Sequence, residues 1–281
     1  MEVLLRQRAV LGTARFSHQF GGPLAVRAAR TALRTPMPRS VRHAGTAQSS
    51  QTAALGVMLG THVLPTGNLV PSVLAEPKLR AKGFFRRLYL YVQNAWCFGR
   101  FRIAGHPLEF KQWRDEAMDV YVSLNKAFAA RSKAGIDKYS TMFVQIPLQQ
   151  RMEGLDKKMK LKWDLVKHIS EPKLVSAVAI KLSEKGPIEH VQLVYRIHAL
   201  QRLIMISPNG TVNKSEKEVV DYIAFFRDVG VTPPVTKVVG SVFETPLDVP
   251  LPKRVPSENA TIRFMRDCGD IFRKKPAAKT Y

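Results

Sequence analysis

The spacing of the hydrophobic residues changes near Lys160, and this change limits the folds that the chain can adopt. Before it, residues 108–131 carry apolar side chains at the i, i+3, i+4 spacing of an amphipathic helix, namely Phe110, Trp113, Ala117, Val120, Tyr121, Leu124 and Phe128. After it, segments rich in Val, Ile, Leu and Tyr predict strands over 161–169, 173–182, 190–197, 202–206 and 235–243. Helices followed by successive strands predict an α+β fold, in which N-terminal helices pack on a curved antiparallel sheet.

Prolines and glycines mark the boundaries of these predicted elements. Glu171-Pro172 separates the first two strands, and Pro208-Asn209-Gly210 predicts a hairpin turn because Asn-Gly tolerates a positive φ. Pro147 predicts the interruption of any longer helix and leaves a short helix near 149–155. Residues 219–229 fit both a helix face and a strand, so both assignments remain open.

Residues 78–103 combine aromatic and basic side chains. On a helical wheel, one broad face carries Phe84, Phe85, Leu88, Tyr91, Val92, Ala95, Trp96 and Phe98. The other side carries mostly Arg86, Arg87, Gln93, Asn94 and Arg100. This division fits an interfacial helix on anionic lipid, and it also fits an ordinary amphipathic helix packed on a core. The first interpretation predicts these membrane contacts: Phe84, Phe85, Arg86, Arg87, Leu88, Tyr91 and Trp96.

The N-terminal region has an asymmetric composition. From Val3 to Ala75 the chain contains no Asp, Glu or Lys but eight arginines. An acid-free, arginine-rich segment is typical of a mitochondrial transit peptide, and the alternative is a basic tail that binds nucleic acid. We therefore predict a transit peptide over 1–42, a flexible linker over 43–77, a folded domain over 78–249 and a basic, proline-rich tail over 250–281.

The net charge predicts a polyanionic partner. The formal charge is +22, and residues 1–42 contribute +7 of it through eight Arg and one Glu, so the rest of the chain keeps +15. A domain this basic usually binds a polyanion, which in mitochondria means RNA or the anionic lipids of the inner membrane. The predicted RNA-binding residues form three groups: Lys78, Arg80, Lys82, Arg100 and Arg102; Lys157, Lys158, Lys160 and Lys162; and Arg273, Lys274 and Lys275.

The sequence contains no recognisable catalytic motif. It lacks a P-loop and the patterns G-x-G-x-x-G, H-E-x-x-H and G-x-S-x-G. Among seven scattered histidines only His190 and His198 could share a strand face, and no further metal-ligand set accompanies them. Cys97 and Cys268 are predicted to be free thiols. We therefore predict a protein that is not an enzyme and that has no metal, cofactor or small-molecule substrate.

One segment of the predicted sheet carries a family resemblance. Val194-Tyr195-Arg196-Ile197-His198-Ala199-Leu200-Gln201-Arg202-Leu203-Ile204 resembles the central strands of the family of mitochondrial large-subunit ribosomal protein number forty-five and the fungal membrane-associated mitoribosome receptors. Asp221-Tyr222-Ile223-Ala224-Phe225-Phe226 resembles a late strand of that family, which favours a strand over 219–229. The family shares its domain with the C-terminal domain of the matrix anchor of the presequence-import motor.

The resemblance covers roughly residues 80–245. Trp163-Asp164-Leu165-Val166-Lys167 followed by Glu171-Pro172 resembles the first strand and turn of the family. The chain departs from the family at Val231-Thr232-Pro233-Pro234-Val235, where a Gly-Trp would enter the last strand. This departure affects only the alignment of the final hairpin.

The resemblance implies both a fold and a function. The implied fold is a cone-like α+β domain with a pocketed, curved antiparallel sheet. The implied function is to hold the tunnel exit of the mitoribosome at the inner membrane, so that mitochondrially encoded proteins are inserted as they are made. The implied partners are the large ribosomal subunit with its RNA and proteins, anionic inner-membrane lipids and the membrane insertase, and the implied location is the matrix side of that membrane.

A second function within the same family is the import-motor anchor. That function expects a long, charged helical region before the domain. Residues 43–77 are the only ones available between the predicted transit peptide and the domain, and they show no charge pattern. The sequence therefore favours the ribosome receptor.

Overall fold

The computed structural model describes residues 63–64, 70, 72, 74–180, 188–249 and 258–275. Its helices are α1 (Pro77–Ile103), α2 (Phe110–Ala129), α3 (Lys133–Tyr139), α4 (Met142–Glu153) and α5 (Glu258–Gly269). Its strands are β1 (Lys160–Ile180), β2 (His190–Ile206), β3 (Val212–Asp228) and β4 (Val235–Val242). The predicted transit peptide over 1–42 and most of the predicted linker over 43–77 lie outside the described residues.

The four strands form one open antiparallel sheet in the order β1-β2-β3-β4, which confirms the predicted α+β fold. The eight-residue β4 pairs with β3 only from Tyr222 to Asp228. β1, β2 and β3 remain paired with one another beyond the part of the sheet that β4 reaches. We call this further part, residues 160–168, 199–206 and 212–219, the sheet extension, and its free end lies at the β2-β3 turn.

β1 is a single strand, so the predicted separation into two strands at Glu171-Pro172 is wrong. Its pairing with β2 shifts register between Ser170 and Lys173, and at three further points. Pro172 is accommodated because β1 lies at the edge of the sheet, where a bulged position does not need the amide hydrogen that proline lacks. The predicted strands 190–197 and 202–206 are likewise parts of the one strand β2.

The turns of the sheet follow the sequence more closely. The predicted hairpin at Pro208-Asn209-Gly210 joins β2 to β3, and Gly210 has a φ of +80°. Residues 219–228 belong to β3, which confirms the strand that the family resemblance favoured. Residues 231–234, where the chain departs from the family, connect β3 to β4 and contain a cis peptide bond before Pro233.

α2 supplies the predicted core stripe. The buried members of that stripe are Trp113, Ala117, Tyr121, Leu124 and Phe128. Phe110 at the start of the helix is 44% exposed, and Val120 is half-buried. The ring of Tyr121 contacts that of Trp163 in β1 with centroids 6.1 Å apart. The amphipathic pattern therefore identified the side of α2 that lies on the sheet.

α4 continues through Pro147, so the predicted interruption at this residue is wrong. A proline within a helix lacks the amide hydrogen that would bond the carbonyl four residues earlier, here that of Phe143. Gly269 of α5 lies against this carbonyl, because a Cβ added to Gly269 would be only 2.0 Å from the Phe143 oxygen. The close approach of α5 to α4 therefore requires glycine at position 269.

The residues after 249 include a packed helix that the sequence analysis did not predict. Around α5, the side chains of Met265, Cys268 and Phe272 are buried. Arg151 of α4 holds the end of α5 through Asp270, with Nε–Oδ1 and Nη2–Oδ2 distances of 2.8 and 2.5 Å. This part of the expected tail therefore contributes to the core of the domain.

Candidate functional site

α1 contacts the rest of the domain through a narrow side. Its buried residues are Arg86, Leu90, Cys97 and Phe101. At 100° per residue these four side chains fall within an arc of about 60°. The sequence analysis had assigned the polar side chains Arg86 and Asn94 to the side away from the apolar face, and both of them face the domain. They do so together with the apolar residues Leu90, Cys97 and Phe101.

Asn94 attaches α1 to the open edge of the sheet. Its side-chain Nδ2 donates to the carbonyl of Val175 at 3.1 Å, and its Oδ1 accepts from the backbone N–H of Ala177 at 2.9 Å. β1 is an edge strand, so these backbone groups have no neighbouring strand to pair with. The amide of Asn94 replaces part of that missing strand and covers the edge.

Cys97 lies one turn further along the same side of α1. Burial raises the pKa of its thiol to about 11, and a hydrogen bond with the backbone of Ala179 and the charge of Arg100 act in the opposite direction. The thiol is therefore neutral at physiological pH, which disfavours nucleophilic chemistry. Cys97 serves as a packing residue between the helix and β1.

Arg86 was predicted to contact the membrane, and the structure corrects this prediction. Its side chain is 6% exposed, and its guanidinium donates to the carbonyls of Pro246 (3.1 Å) and Val249. Burial lowers its pKa, and Asp248 opposes that shift. Arg86 therefore ties the segment after β4 to α1, and it is not available to a lipid surface.

The outward side of α1 is apolar and exposed. Phe84, Phe85, Leu88, Tyr91, Val92 and Trp96 are each between 49 and 74% exposed. At 100° per residue they lie roughly opposite the buried arc. Large aromatic side chains on a face that the domain leaves uncovered mark an interaction site rather than a core. We call these six residues the outer face of α1.

Cations border the outer face. Arg80 and Arg87 lie on one border and Lys78 and Lys82 on the other, and all four are exposed. Arg102 near the end of the helix is also exposed, whereas Arg100 is half-buried. The sequence of α1 contains no Asp or Glu that could neutralise them. Lys and Arg beside an apolar stripe can extend their charged ends to lipid phosphates while their stems stay in the apolar region.

An apolar groove of about 390 Å³ lies beside the first turns of α1. Phe84 and Phe85 line it together with Leu247 from the segment that Arg86 holds. Arg80 and Arg87 are the charged residues in its wall. The groove continues the apolar surface of Phe84 and Phe85, and its lining brings together no acid and base that could carry out catalysis.

The other two predicted basic groups differ from each other. Lys157 and Lys158 precede β1, Lys160 and Lys162 begin it, and all four are exposed. In the C-terminal group, Arg273 is half-buried, donates to the carbonyl of Ser241 at 2.8 Å and covers the ring of Phe243. Lys275 is 3.8 Å from Glu244, and Lys274 is exposed. Arg273 therefore holds the C-terminal segment on the sheet, whereas the β1 group faces solvent.

The two candidate histidines occupy separate environments. His190 is buried against the ring of Phe226, with centroids 4.9 Å apart, and its Nδ1 is 3.3 Å from Asp228. His198 Nε2 is 2.5 Å from Glu218. Each histidine thus has its own carboxylate neighbour. In the part of the chain that the structure describes, no three His, Cys, Asp or Glu side chains converge to hold a metal ion.

A buried polar chain links α2 to the sheet, and no motif in the sequence pointed to it. Trp163 Nε1 donates to Gln201 Oε1 at 3.2 Å, and Gln201 Nε2 donates to the hydroxyl of Tyr121 at 2.9 Å. That hydroxyl donates to Asp221 at 2.7 Å. Burial raises the pKa of Tyr121 well above its ordinary value, and the charge of Asp221 adds to the shift. The phenol therefore stays protonated and positions α2.

Comparisons with known proteins identify the family of this chain. Residues 44–277 match the family described as MBA1-like protein. The chain is 33% identical over 228 residues to the inner membrane mitoribosome receptor MBA1 of Saccharomyces cerevisiae, which covers 79% of this chain and 80% of the relative. It is 28% identical over 166 residues to an uncharacterized protein of Schizosaccharomyces pombe, with 59 and 55% of the two chains covered.

Among the described residues no helix is both long and apolar enough to span a bilayer. The family match over residues 44–277 includes every described helix and strand. It confirms the resemblance that the sequences of β2 and β3 suggested. This chain therefore belongs to the MBA1-like family.

Proposed function

We propose that the protein is a non-catalytic receptor that holds the mitochondrial ribosome at the inner membrane. The yeast relative is named an inner membrane mitoribosome receptor. In this proposal the protein lies on the matrix side, attached peripherally through α1, and keeps the tunnel exit of the large subunit near the membrane insertase. Mitochondrially encoded proteins would then enter the membrane as they are synthesised.

The outer face of α1 is the observation that carries the membrane part of the proposal. Six exposed apolar side chains lie along one side of a 27-residue helix, and cations border them. A helix of this kind lies in the plane of a bilayer, where its apolar side is buried at the boundary of the acyl chains and its cations pair with anionic headgroups. The proposed lipid contacts are Phe84, Phe85, Arg87, Leu88, Tyr91 and Trp96, without Arg86.

The ribosome part of the proposal depends on the basic residues that face solvent. Lys157, Lys158, Lys160 and Lys162 lie in a region without exposed aromatic side chains. Lysines on an exposed surface favour contacts with the phosphates of ribosomal RNA over contacts with the apolar part of a bilayer. Lys78, Arg80, Lys82, Arg100 and Arg102 belong to α1, where lipid phosphates compete for the same charges.

Liposome flotation tests the membrane contact. The full-length protein is mixed with phosphatidylcholine vesicles that contain or lack cardiolipin. We expect flotation with the anionic vesicles and its loss in the triple variant F84S/L88S/W96S. The matched control V166S/I169S/V212S removes three exposed apolar side chains from the sheet, where Val166, Ile169 and Val212 are 39, 41 and 61% exposed. Equal flotation of both variants and the wild type would contradict the proposed role of α1.

Sucrose-gradient sedimentation tests the ribosome contact. The tagged protein is extracted from mitochondria with detergent and sedimented at low and at high salt. Migration with the large subunit at both salts indicates a stable ribosomal component, and migration at low salt alone indicates an electrostatically held receptor. Absence from the large subunit at both salts would overturn the proposal.

A further inference from the structure

Lysines from two strands converge near the free end of the sheet extension. The strand register puts Lys162 of β1, Ile204 of β2 and Lys214 of β3 in one row. Lys160 lies two residues closer to that end, in the next row on the same face. Directly opposed residues of an antiparallel sheet project from the same face, as do alternate residues of one strand. Strand geometry then sets Lys162 and Lys214 roughly 10 Å apart and Lys160 roughly 7 Å from Lys162.

The acidic residues near these lysines lie behind them. Lys162 Nζ is 3.4 Å from Asp164, and Lys214 Nζ is 3.3 Å from Glu216. Both carboxylates belong to the row further from the free end, where Glu216 also accepts from Arg202 Nε at 2.7 Å. The Lys162 and Lys214 side chains remain 68 and 54% exposed. Each lysine is offset by one carboxylate, but more than half of its side chain stays open to a ligand that approaches the free end.

The turn before β1 adds two more exposed cations to the same end. Lys157 and Lys158 lie in this turn. Its shape is fixed because Asp156 Oδ1 accepts from the backbone N–H of Lys158 at 2.9 Å. Arg131 of the segment after α2 donates to the carbonyls of Asp156 and of Met159. The carboxylate of Asp156 thus caps its own turn, and the two lysines extend the cationic surface.

The lysine surface lies far from α1 along β1. Asn94 of α1 binds β1 at Val175 and Ala177, whereas Lys162 lies near the other end of the strand. The thirteen residue steps from Lys162 to Val175 span roughly 40 Å at the usual rise per strand residue. In addition, the rows that hold the lysines contain aliphatic Ile206 and Val212 rather than aromatic side chains. This surface therefore lacks the aromatic residues that distinguish the outer face of α1.

From this arrangement we infer that Lys157, Lys158, Lys160, Lys162 and Lys214 form a phosphate-binding site for ribosomal RNA at the end of the sheet remote from α1. The inference rests on the proposed function, because it presupposes that the chain binds the mitoribosome. Lys160, Lys162 and Lys214 are roughly 7 to 10 Å apart, so together they can contact several phosphates of an RNA backbone without reading its sequence. The long strands then act as a spacer between the ribosome and the membrane helix.

The salt dependence of binding tests this site. Full-length wild type, K162Q/K214Q and the control K167Q/K173Q are titrated onto isolated mitochondrial large subunits and onto their deproteinised RNA. Lys167 and Lys173 are exposed residues of the same strand that lie outside the lysine surface, so the control removes the same charge. We expect K162Q/K214Q to bind both targets more weakly, with a slope of log affinity against log salt reduced by about two. The control should keep the wild-type slope.

The other outcomes separate the two proposals. If the wild type fails to bind large subunits, the proposed function fails. If the wild type binds and K162Q/K214Q keeps its slope, only the inferred site fails. If K162Q/K214Q binds intact subunits more weakly but binds deproteinised RNA like the wild type, the lysine surface contacts an acidic ribosomal protein. If K162Q/K214Q no longer floats with cardiolipin vesicles, the surface contacts lipid. Either result overturns the RNA site, and unchanged melting temperatures exclude misfolding.

Discussion

Asn94 of α1 and Ala177 of β1 are joined at the open edge of the sheet by a hydrogen bond of 2.9 Å from the Ala177 N–H to the Asn94 Oδ1. The Asn94 Nδ2 completes the contact with the carbonyl of Val175. An edge strand presents backbone groups that would otherwise pair with another chain. The contact therefore protects the edge. It also fixes the rotation of α1, because a helix held at Asn94 presents the outer face on its opposite side.

We expect Asn94→Ala to lower the free energy of unfolding by about 1–3 kcal/mol, since it leaves a backbone donor and a backbone acceptor without their partner. Urea denaturation followed by circular dichroism measures this change. Asn94→Asp keeps the acceptor for Ala177 but loses the donor for Val175, so its effect should be intermediate at most. An unchanged unfolding midpoint in Asn94→Ala would contradict the edge contact.

The stability of the domain should depend on Arg86 but not on the neighbouring Arg87 of α1. Arg86→Met removes the donor to the carbonyls of Pro246 and Val249, so we expect a loss of about 2–3 kcal/mol in unfolding free energy. Arg87→Met changes an exposed residue and should leave stability within about 0.5 kcal/mol. In flotation assays, Arg87→Met should weaken binding to cardiolipin vesicles. Equal stabilities of the two variants would show that Arg86 is not structural.

The fluorescence of Trp96 should report contact with lipid. Trp96 is 69% exposed, whereas Trp113 and Trp163 are buried. Vesicles with brominated acyl chains quench a tryptophan that enters the apolar region, so we expect quenching in the wild type and little quenching in Trp96→Phe. The same quenching in both proteins would mean that Trp96 stays outside the bilayer.

The close contact between α4 and α5 predicts that replacing Gly269 lowers the stability of the domain. Gly269→Ala would put a Cβ 2.0 Å from the carbonyl oxygen of Phe143, so we expect a loss of about 1–3 kcal/mol through overpacking. Gly154→Ala is the matched control, because its nearest heavy atom would be at 3.5 Å and its φ is −75°. Thermal melting of the two variants distinguishes them, and similar melting temperatures would contradict the close packing of α5.

The raised pKa values of the two cysteines predict that the domain loses stability at alkaline pH. Burial raises the pKa of Cys97 and that of Cys268 to about 11, above the value of about 8.5 for an unfolded cysteine. The neutral thiols therefore stabilise the fold fully below about pH 8.5, and this contribution is lost as the pH rises toward about 11. We expect the urea midpoint to fall over this range, and to fall less in C97A/C268A.

The same burial should protect both thiols from modification. At pH 8 we expect slow reaction with iodoacetamide in the native protein and rapid reaction in urea, because the thiolate is the reactive species. Mass spectrometry of the alkylated protein measures the difference. Rapid native labelling of Cys97 would contradict its burial between α1 and β1.

The sequence allowed prediction of the elements whose pattern is local. The apolar stripe of α2, the Asn-Gly hairpin and the order of helices before strands all depend on neighbours within a few residues, and the structure contains each of them. Predictions based on proline were less successful. Pro172 lies in an edge strand, where the missing amide hydrogen is tolerated, and α4 continues through Pro147 while the carbonyl of Phe143 lies against Gly269 of α5. Both settings depend on residues far away in the chain.

The sequence by itself determined the α+β class, the family and the amphipathic character of α1, since periodicity and composition are properties of the chain. Only the tertiary structure decided which side of α1 faces the domain. The helical wheel fits both orientations, whereas in the fold Asn94 and Arg86 find backbone partners in β1 and after β4. These hydrogen bonds, together with the buried side chains of α1, fix the side that faces the domain, because each unpaired backbone group would cost free energy and because the outer face can be covered by another surface.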